Sequence, residues 1–351
     1  MTRSRTLGAV VGLLGLLIGF SGCRSFTQLP QGGVVPDADF RACLNSDYLR
    51  AGKTAIITAS QLGALKGTVE CAAPMTYQIK SIEGAQYLTG ITTLDVSSNK
   101  ISDLSPLENL TGLTDLDVGY NWPLSDMTPL SKLTNLTNLG LGANVITDFT
   151  TLVKLTKLTT LSLRFSGIAD AMPLSGLTNL EELDLAFTEV TDATPLTNLN
   201  KLTTLDISRT SLANLAPLAQ MKGLTKLLAN NDHISDVTPL ASSTGLTTLS
   251  LNGNQISDIT PLRGLKNLYP NGSLSADEQE IVATAIANTW VPLPAIGAYS
   301  TLIWDDANGT AVPTTEIAGD SVRYPSPGTS ILAFFDNTAT FSGTVTVTVT
   351  S

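Results

Sequence analysis

The chain has 351 residues, and 42% of them are hydrophobic, so it can bury a sizeable core spread over two or three domains. Only 14% are charged, and 30 acidic against 20 basic side chains give a net charge of −10. This composition excludes a disordered chain. Because the sequence has no basic run or stripe to neutralise phosphates, we also expect no nucleic-acid partner.

The N-terminus has the pattern of an export signal. Arg3 and Arg5 precede an apolar run, Leu7 to Phe20, that is too short for a permanent membrane span. The tetrapeptide Phe20-Ser21-Gly22-Cys23 then resembles a bacterial lipobox, in which the cysteine is diacylated. We therefore expect residues 1–23 to be a signal peptide and Cys23 to carry a lipid. That lipid would anchor the protein at the bacterial cell surface or on the periplasmic side of a membrane, and plain secretion is the alternative.

Residues 24–35 have no apolar period and suit a flexible tether. The next segment, residues 36–68, predicts a small helical cap. Its first helix begins at Asp37 or Asp39, since both suit an N-cap position. Its second helix begins at Thr58, with Gln61 three residues later in the pattern of a capping box.

Two cysteines remain after Cys23, namely Cys43 in the first cap helix and Cys71. An even pair in an exported protein favours a disulfide. Such a bridge would hold the cap on the open end of the domain that follows. Two buried free thiols are the alternative.

One phrase of 22 residues, L-x-x-L-x-L-x-x-N-x-I-x-D-x-[ST]-P-L-x-x-L-x-x, recurs eight times over residues 91–267. The units begin at Ile91, Leu113, Leu136, Leu158, Leu180, Leu202, Leu224 and Leu246, and the second has one extra residue. A degenerate unit over residues 69–90 fits the same register, so the repeat domain spans residues 69–268. This period is the signature of a leucine-rich repeat solenoid.

Each position of the repeat has a predicted role. Apolar residues at positions 4 and 6 alternate as in a strand, and successive strands pair in parallel on the concave face. A polar residue at position 9 satisfies the buried turn after the strand, and we expect a weaker ladder where Ser166, Thr188, Thr210 and Asp232 replace asparagine. Ser or Thr at position 15, followed by Pro, caps a 3₁₀ or short helical turn on the convex face.

The C-terminal segment, residues 269–351, lacks the repeat and alternates in the manner of a β-sandwich. We predict strands at Ser300–Trp304, Ser321–Tyr324, Ile331–Phe335 and Thr344–Thr350. The stretch Ser275–Asn288 suits either a helix or the first strand of the sandwich.

The Ile-x-Asp-x-x-Pro-Leu ending of the repeats resembles the 22-residue repeat of the internalin family of bacterial surface proteins. Pro36-Asp37-Ala38-Asp39-Phe40 with Ile82-Glu83-Gly84 is similar to that family's N-terminal cap, and Phe341-Ser342-Gly343-Thr344-Val345 is similar to the end of its Ig-like domain. The resemblance implies an α/β leucine-rich repeat solenoid between a helical cap and an all-β Ig-like sandwich.

Residues suited to catalysis are scarce. The single histidine, His233, occupies a variable turn position, and the sequence has neither zinc-ligand spacing nor a phosphate-binding loop. Asp95, Asp117, Asp184 and Asp206 form two neighbouring pairs at position 5, with Glu182 beside the second. Such pairs suit a cation or a glycan-cleaving site, but aspartate is also a common filler of this solvated position, and we favour that interpretation. We therefore expect no enzyme activity, cofactor or metal.

Aromatic residues and arginines lie at positions 7, 8 and 10, on the concave rim, where polar residues are usual. Exposed aromatic rings and arginine among polar neighbours are typical of binding hot spots. We predict a binding module for a protein ligand, with a carbohydrate or cell-wall polymer as the alternative. The candidate residues are Asp117, Tyr120, Trp122, Arg164, Phe165, Glu182, Asp184, Phe187, Asp206 and Arg209.

Overall fold

The computed structural model describes residues 33–72, 78–257, 259–268, 273–286, 290–292, 305–306, 316–318, 321–323, 328–335 and 341–350. The export signal, Cys23 and most of the tether lie outside these residues. Within the described part of the chain, no helix is both long and apolar enough to cross a membrane.

The N-terminal helices are short. Helix α1 spans Ala38–Cys43 and continues as one π-helical turn, Leu44–Tyr48, while α2 spans Ala59–Ala64. Asp37, rather than Asp39, caps α1: its Oδ1 accepts the N–H groups of Asp39 and Phe40 at 3.0 and 2.9 Å. Its Oδ2 accepts the N–H groups of Lys80 and Ser81, which ties the cap to the first repeat. Helix α2 begins with the capping box of Thr58 and Gln61.

A disulfide joins Cys43, the last residue of α1, to Cys71, with the two Cα atoms 5.9 Å apart. Both cysteines are buried beside Phe40 and Leu44 in the same apolar core as the repeats. The cap is therefore packed on the first strand of the solenoid and also covalently linked to it.

The repeats form one parallel sheet. Its strands are β1 Gly67–Glu70, β2 Ile91–Asp95, β3 Asp115–Asp117, β4 Asn138–Gly140, β5 Thr160–Ser162, β6 Glu182–Asp184, β7 Thr204–Asp206, β8 Lys226–Leu228 and β9 Thr248–Ser250. Each strand pairs only with its neighbours in chain order, and Leu94 lies opposite Leu116, which shows that position 4 stacks on position 4. The leucines of positions 4 and 6 are buried throughout, as the alternation predicts. The parallel-stranded solenoid is thus confirmed.

The degenerate first unit departs from the predicted register. A frame of 22 residues places Ala72 opposite Leu94, whereas the structure pairs Val69 with Leu94, three residues earlier. Val69 is fully buried and supplies the branched apolar side chain that this core position needs. Strand β1 consequently starts at Gly67, inside the segment predicted as cap.

The convex face consists of 3₁₀ turns, as predicted, and they include Ser105–Leu107, Thr128–Lys132, Met172–Leu174, Thr194–Leu196 and Thr238–Ser242. The prediction that Ser or Thr at position 15 caps these turns was wrong. Position 15 is already the first residue of the turn, and its side chain caps nothing at the turn's start. Instead, the position-13 side chain accepts the position-15 N–H at 2.8–3.0 Å, and the acceptors are Asp103, Asp126, Asp148, Asp170, Asp192, Asn214 and Asp236.

The position-9 ladder is strongest where the residue is asparagine. Asn121, for example, accepts the N–H of Ile101 and donates to the carbonyls of Val96 and Val118, so it bonds to two repeats. The predicted weakening occurs at two positions: Ser166 Oγ is buried without a partner, and Thr188 donates only within its own repeat. The prediction was wrong for Thr210, which bonds to Asp232 across the repeats, whereas Asp232 itself leaves Oδ2 buried without a partner.

Among the described residues, seven C-terminal strands follow the repeats. They are β10 Ser273–Ile286, β11 Trp290–Pro292, β12 Asp305–Asp306, β13 Glu316–Ala318, β14 Ser321–Arg323, β15 Gly328–Phe335 and β16 Phe341–Thr350. Strands β10, β16, β15 and β12 extend the sheet in that order, whereas β11, β14 and β13 form a separate three-stranded sheet. Strand β10 pairs in parallel with β9 and then with β16, so the stretch from Ser275, which suits either a helix or a strand by sequence, is a strand as far as Ile286. The predicted strand Ser300–Trp304 lies outside the described residues.

Candidate partner-binding surface

Position 8 of each of the eight repeats over residues 91–267 has a left-handed backbone. The φ angles run from 53° to 66° at Ser98, Tyr120, Ala143, Phe165, Phe187, Arg209, Asn231 and Gly253. A left-handed conformation costs an ordinary L-residue about 1–2 kcal/mol, and only glycine and, to a lesser degree, asparagine adopt it readily. Asn231 and Gly253 fit this rule. Tyr120, Phe165 and Phe187 do not, so three bulky rings stand on strained backbone at the rim.

Two of these rings form a stack with arginine. The Phe165 and Phe187 centroids are 4.3 Å apart, with 29° between the ring planes. The Arg164 guanidinium lies over both rings, 5.2 and 5.0 Å from their centroids, and Arg209 lies 5.3 Å from Phe187. Aromatic stacking and cation–π contact each contribute about 0.5–1.5 kcal/mol, so the group is held in one arrangement.

Arg164 also bridges from the rings to the acids of the concave face. Its Nη1 lies 3.3 Å from Asp206 Oδ2 and 3.7 Å from Asp184 Oδ1. The second of the predicted acidic pairs therefore has a cationic partner within the molecule. The structure thus brings Arg164, Phe165, Asp184, Phe187, Asp206 and Arg209 into one cluster, which we call the arginine cluster.

A second feature lies on the N-terminal side. Tyr120, Trp122 and Phe165 line an apolar cleft with Ala143 between them, and we call this the aromatic cleft. Trp122 is 75% exposed, Tyr120 53% and Phe165 44%. Side chains of this size rarely remain so open on a monomer unless the surface binds something.

The position-5 acids have a structural function. Each accepts the N–H of position 7 in its own repeat at 2.8–2.9 Å, from Ser97 to Asp95, Gly119 to Asp117, Ala186 to Asp184 and Ser208 to Asp206. These bonds give a reason for aspartate here that needs no ligand. No group of three or more His, Cys, Asp or Glu side chains among the described residues has the arrangement of a metal site.

Burial changes the protonation of two of these acids. It raises the pKa of Asp117, against the lowering effect of the Gly119 N–H, and the negative charge of Asp95 raises it further. Burial likewise raises the pKa of Asp184; the Ala186 N–H lowers it, Asp206 raises it and Arg164 lowers it. Asp117 differs in having no cation to oppose the burial.

Two remaining residues lie apart from both features. Glu182 is exposed on β6, between Thr160 and Thr204; its N–H donates to the Thr159 carbonyl, and its side chain takes part in none of the hydrogen bonds or ion pairs described. His233 lies in an exposed turn with a left-handed backbone, φ 59°, and its ring contacts Gln255. Neither arrangement suggests chemistry.

The chain is similar to known leucine-rich repeat proteins. The family model described as leucine-rich repeats in two copies matches residues 89–132, and a single-repeat model matches residues 176–193 and 242–259. A solved internalin, inlF from Listeria monocytogenes, is 30% identical with a TM-score of 0.59, over 70% of this chain and 78% of that one. The chain belongs to the internalin family. Internalin C2 of the same organism is 31% identical, with a TM-score of 0.51, over 67% of this chain and 92% of the relative.

More distant similarity extends to the fold alone. A leucine-rich repeat protein from Leptospira interrogans is 22% identical, with a TM-score of 0.55, over 64% of this chain and 56% of that one. A search of curated proteins gives no significant match.

Sequence reasoning missed two residues of the surface of this internalin-family chain. Ala143 forms the open part of the aromatic cleft because it is small at a position where its neighbours are aromatic. Val145, at position 10 of the same repeat, is 41% exposed. The sequence signal for Ala143 is the row of position-8 residues, Tyr-Ala-Phe-Phe-Arg, in which one small residue interrupts large ones.

Proposed function

We propose that this internalin-family chain is a recognition module that binds a protein ligand through the rim formed by the aromatic cleft and the arginine cluster. The observation that supports this most is the left-handed backbone of Tyr120, Phe165 and Phe187, of which Tyr120 and Phe165 are exposed and Phe187 is half-buried. Glycine or asparagine there would fold at lower cost. Strain retained in an exposed site is typical of a functional surface.

The pre-organised rings favour a protein ligand over a carbohydrate. Sugars bind aromatic side chains by lying on an open ring face, whereas Phe187 contacts Phe165, Arg164 and Arg209. Trp122 and Tyr120 retain that capacity. A glycan array probed with the protein and with a Trp122→Ala variant tests the carbohydrate alternative, and specific wild-type signals that the variant loses would support it.

The main test compares two variants that differ in the surface they alter. Phe165→Gly with Phe187→Gly removes both rings and suits the left-handed backbone, so the fold should persist. Met172→Ala removes an apolar side chain that is 59% exposed on the convex face. Each protein is cross-linked to proteins of a cell-surface extract, and captured proteins are quantified by mass spectrometry.

We expect a ligand captured by the wild type and by Met172→Ala to fall at least tenfold with the double glycine variant, while the circular dichroism melting curves stay alike. Equal capture by all three proteins would show that the rim is not the binding surface.

We further propose that the protein is exported and anchored by a lipid on Cys23. The disulfide between Cys43 and Cys71 supports an oxidising compartment. Expression with Cys23→Ala should move the protein from the detergent phase to the aqueous phase, because the acyl chains supply the membrane affinity. Partitioning that does not change would exclude the lipid anchor and leave the binding proposal intact.

A further inference from the structure

The arginine cluster is an internal example of how this surface holds an arginine. Arg164 projects from position 7, its guanidinium lies over rings at position 8, and its Nη1 contacts carboxylates at position 5 of the next two repeats. One side chain thus joins the row of acids to the row of rings. The same two rows continue toward the N-terminus.

In the first repeats these rows have no arginine of their own. Asp95 and Asp117 lie in neighbouring strands and line a concave trough whose other lining residues include Glu70 and Asp115 but no lysine or arginine. Among the ion pairs of the described residues, none involves Asp95 or Asp117. Position 7 is small in these repeats, with Ser97, Gly119 and Gly142 where the fourth repeat has Arg164.

Asp117 and Tyr120 occupy positions 5 and 8 of one repeat. Asp184 and Phe187 occupy the same two positions of another, and the Arg164 guanidinium contacts both. The Asp117 side chain packs on Gly140, since a Cβ added to Gly140 would lie only 2.5 Å from Asp117 Oδ1. The same oxygen accepts the Gly119 N–H at 2.8 Å. Tyr120 and Phe165 are two repeats apart, about 10 Å at the usual strand spacing. A planar group that contacts one face of each ring needs a gap of about 7–8 Å. The spacing of two repeats therefore leaves room for such a group between Tyr120 and Phe165.

We propose that the aromatic cleft binds an arginine side chain of the protein ligand, with Asp117 as its ion-pair partner and Asp95, one strand further away, adding negative charge. This inference rests on the proposed function and names the chemistry of the ligand. A guanidinium is planar and stacks on rings, and it carries the positive charge that Asp117 and Asp95 lack as a partner. A lysine satisfies only the charge and a neutral ring only the stacking.

Short peptides serve as probes because the cleft recognises one side chain. The blocked tripeptides acetyl-Gly-Xaa-Gly-amide, with arginine, lysine or citrulline as Xaa, are titrated into the purified protein and followed by NMR chemical shifts. Citrulline keeps the planar group without the charge, and lysine keeps the charge without the plane. We expect the arginine peptide to bind at least tenfold more tightly than either.

Three variants locate the binding. Asp117→Asn and Tyr120→Leu should each weaken the arginine peptide at least tenfold, and Met172→Ala should leave it unchanged. Ser97→Arg places an arginine one repeat before Asp117, in the relation that Arg164 has to Asp184, and should abolish peptide binding by filling the site. Ser97→Gln is its control, since it has similar bulk without the charge.

Equal affinity for the arginine and lysine peptides would overturn the proposal, because acidic attraction alone would explain it. Binding that survives both Tyr120→Leu and Ser97→Arg would overturn it as well. The result is separable from the proposed function. If the double glycine variant loses the protein ligand but no peptide binds, the rim is the binding surface and the arginine assignment is wrong.

Discussion

At the residue scale, Asp232 occupies a position built for asparagine. Its Oδ1 accepts the N–H groups of Thr210 and Ser211 at 2.7 and 3.1 Å, but its Oδ2 is buried without a partner. Asn254, one repeat later, donates from Nδ2 to the carbonyls of Ala229 and Leu251. An ionised aspartate has no donor for the equivalent carbonyls, so the ladder is incomplete at neutral pH.

Burial raises the pKa of Asp232 to about 6, against the lowering effect of its hydrogen bonds with Thr210 and Ser211, and Asp206 raises it further. The folded state therefore holds this proton more tightly than the unfolded state, in which the pKa is about 4. The contribution of Asp232 to stability is full below about pH 4 and is lost as the pH rises through about 6.

Asp232→Asn supplies the missing donor at every pH. We expect it to raise the free energy of unfolding at pH 7.5 by about 1–2 kcal/mol and to remove part of the stability that the wild type gains between pH 7 and pH 5. Urea unfolding of both proteins at several pH values measures this. Parallel pH profiles would show that Asp232 does not titrate in that range.

The strain at position 8 can be measured in the same way. Phe165→Ala and Phe165→Gly delete the same ring contacts and differ in backbone preference. Glycine is usually less stable than alanine, but at φ 57° the order should invert, with Phe165→Gly more stable by about 1 kcal/mol. Thermal unfolding compares the two variants. If alanine is equal or better, the left-handed backbone at the rim is not a constraint.

At the element scale, the convex turns depend on the position-13 acids. The pKa values of Asp148, Asp192 and Asp236 lie below the ordinary range for aspartate. The larger cause is a hydrogen bond from the threonine side chain two residues later, and the smaller is the bond from that threonine's N–H. The stability they provide is therefore present at neutral pH and lost on acidification. This sign is opposite to that of Asp232.

Asp192 has a matched control within the chain. Asn214 occupies the same position and accepts the N–H of Ala216 at 3.0 Å, which shows that an amide oxygen can replace the carboxylate. Asp192→Ala should therefore lower the melting temperature, and Asp192→Asn should retain most of it at pH 7. Equal losses in the two variants would mean that charge, rather than the hydrogen bond to Thr194, stabilises the turn.

At the scale of the whole molecule, the repeat frame was predictable because leucine spacing alone sets which side chains are buried, and a shift of one residue would expose them. The departures have local causes. Val69 moved the first strand because the core needed a branched side chain there. The left-handed backbone of Phe165 was not predictable, since bulky residues avoid it. The Arg164 bridge joins residues of three repeats, so it required coordinates.

A solenoid transmits little between distant repeats because each contacts only its neighbours. The disulfide between Cys43 and Cys71 closes a loop with a sequence separation of 28 and so contributes about 3–4 kcal/mol in the chain-entropy model. That contribution should act locally. Replacing both cysteines by serine should raise hydrogen exchange in β1 and β2, which carry the cap, and leave β6 to β8 protected.

Hydrogen exchange followed by mass spectrometry resolves these segments. The variant should also bind the arginine peptide less well than the wild type, because the loosened strand β2 carries Asp95. Phe165, in the fourth repeat, should keep its position. Stacking within the arginine cluster should be unaffected. Uniform loss of protection along the solenoid would instead show that the cap controls the whole array, and the local character of the repeats would have to be abandoned.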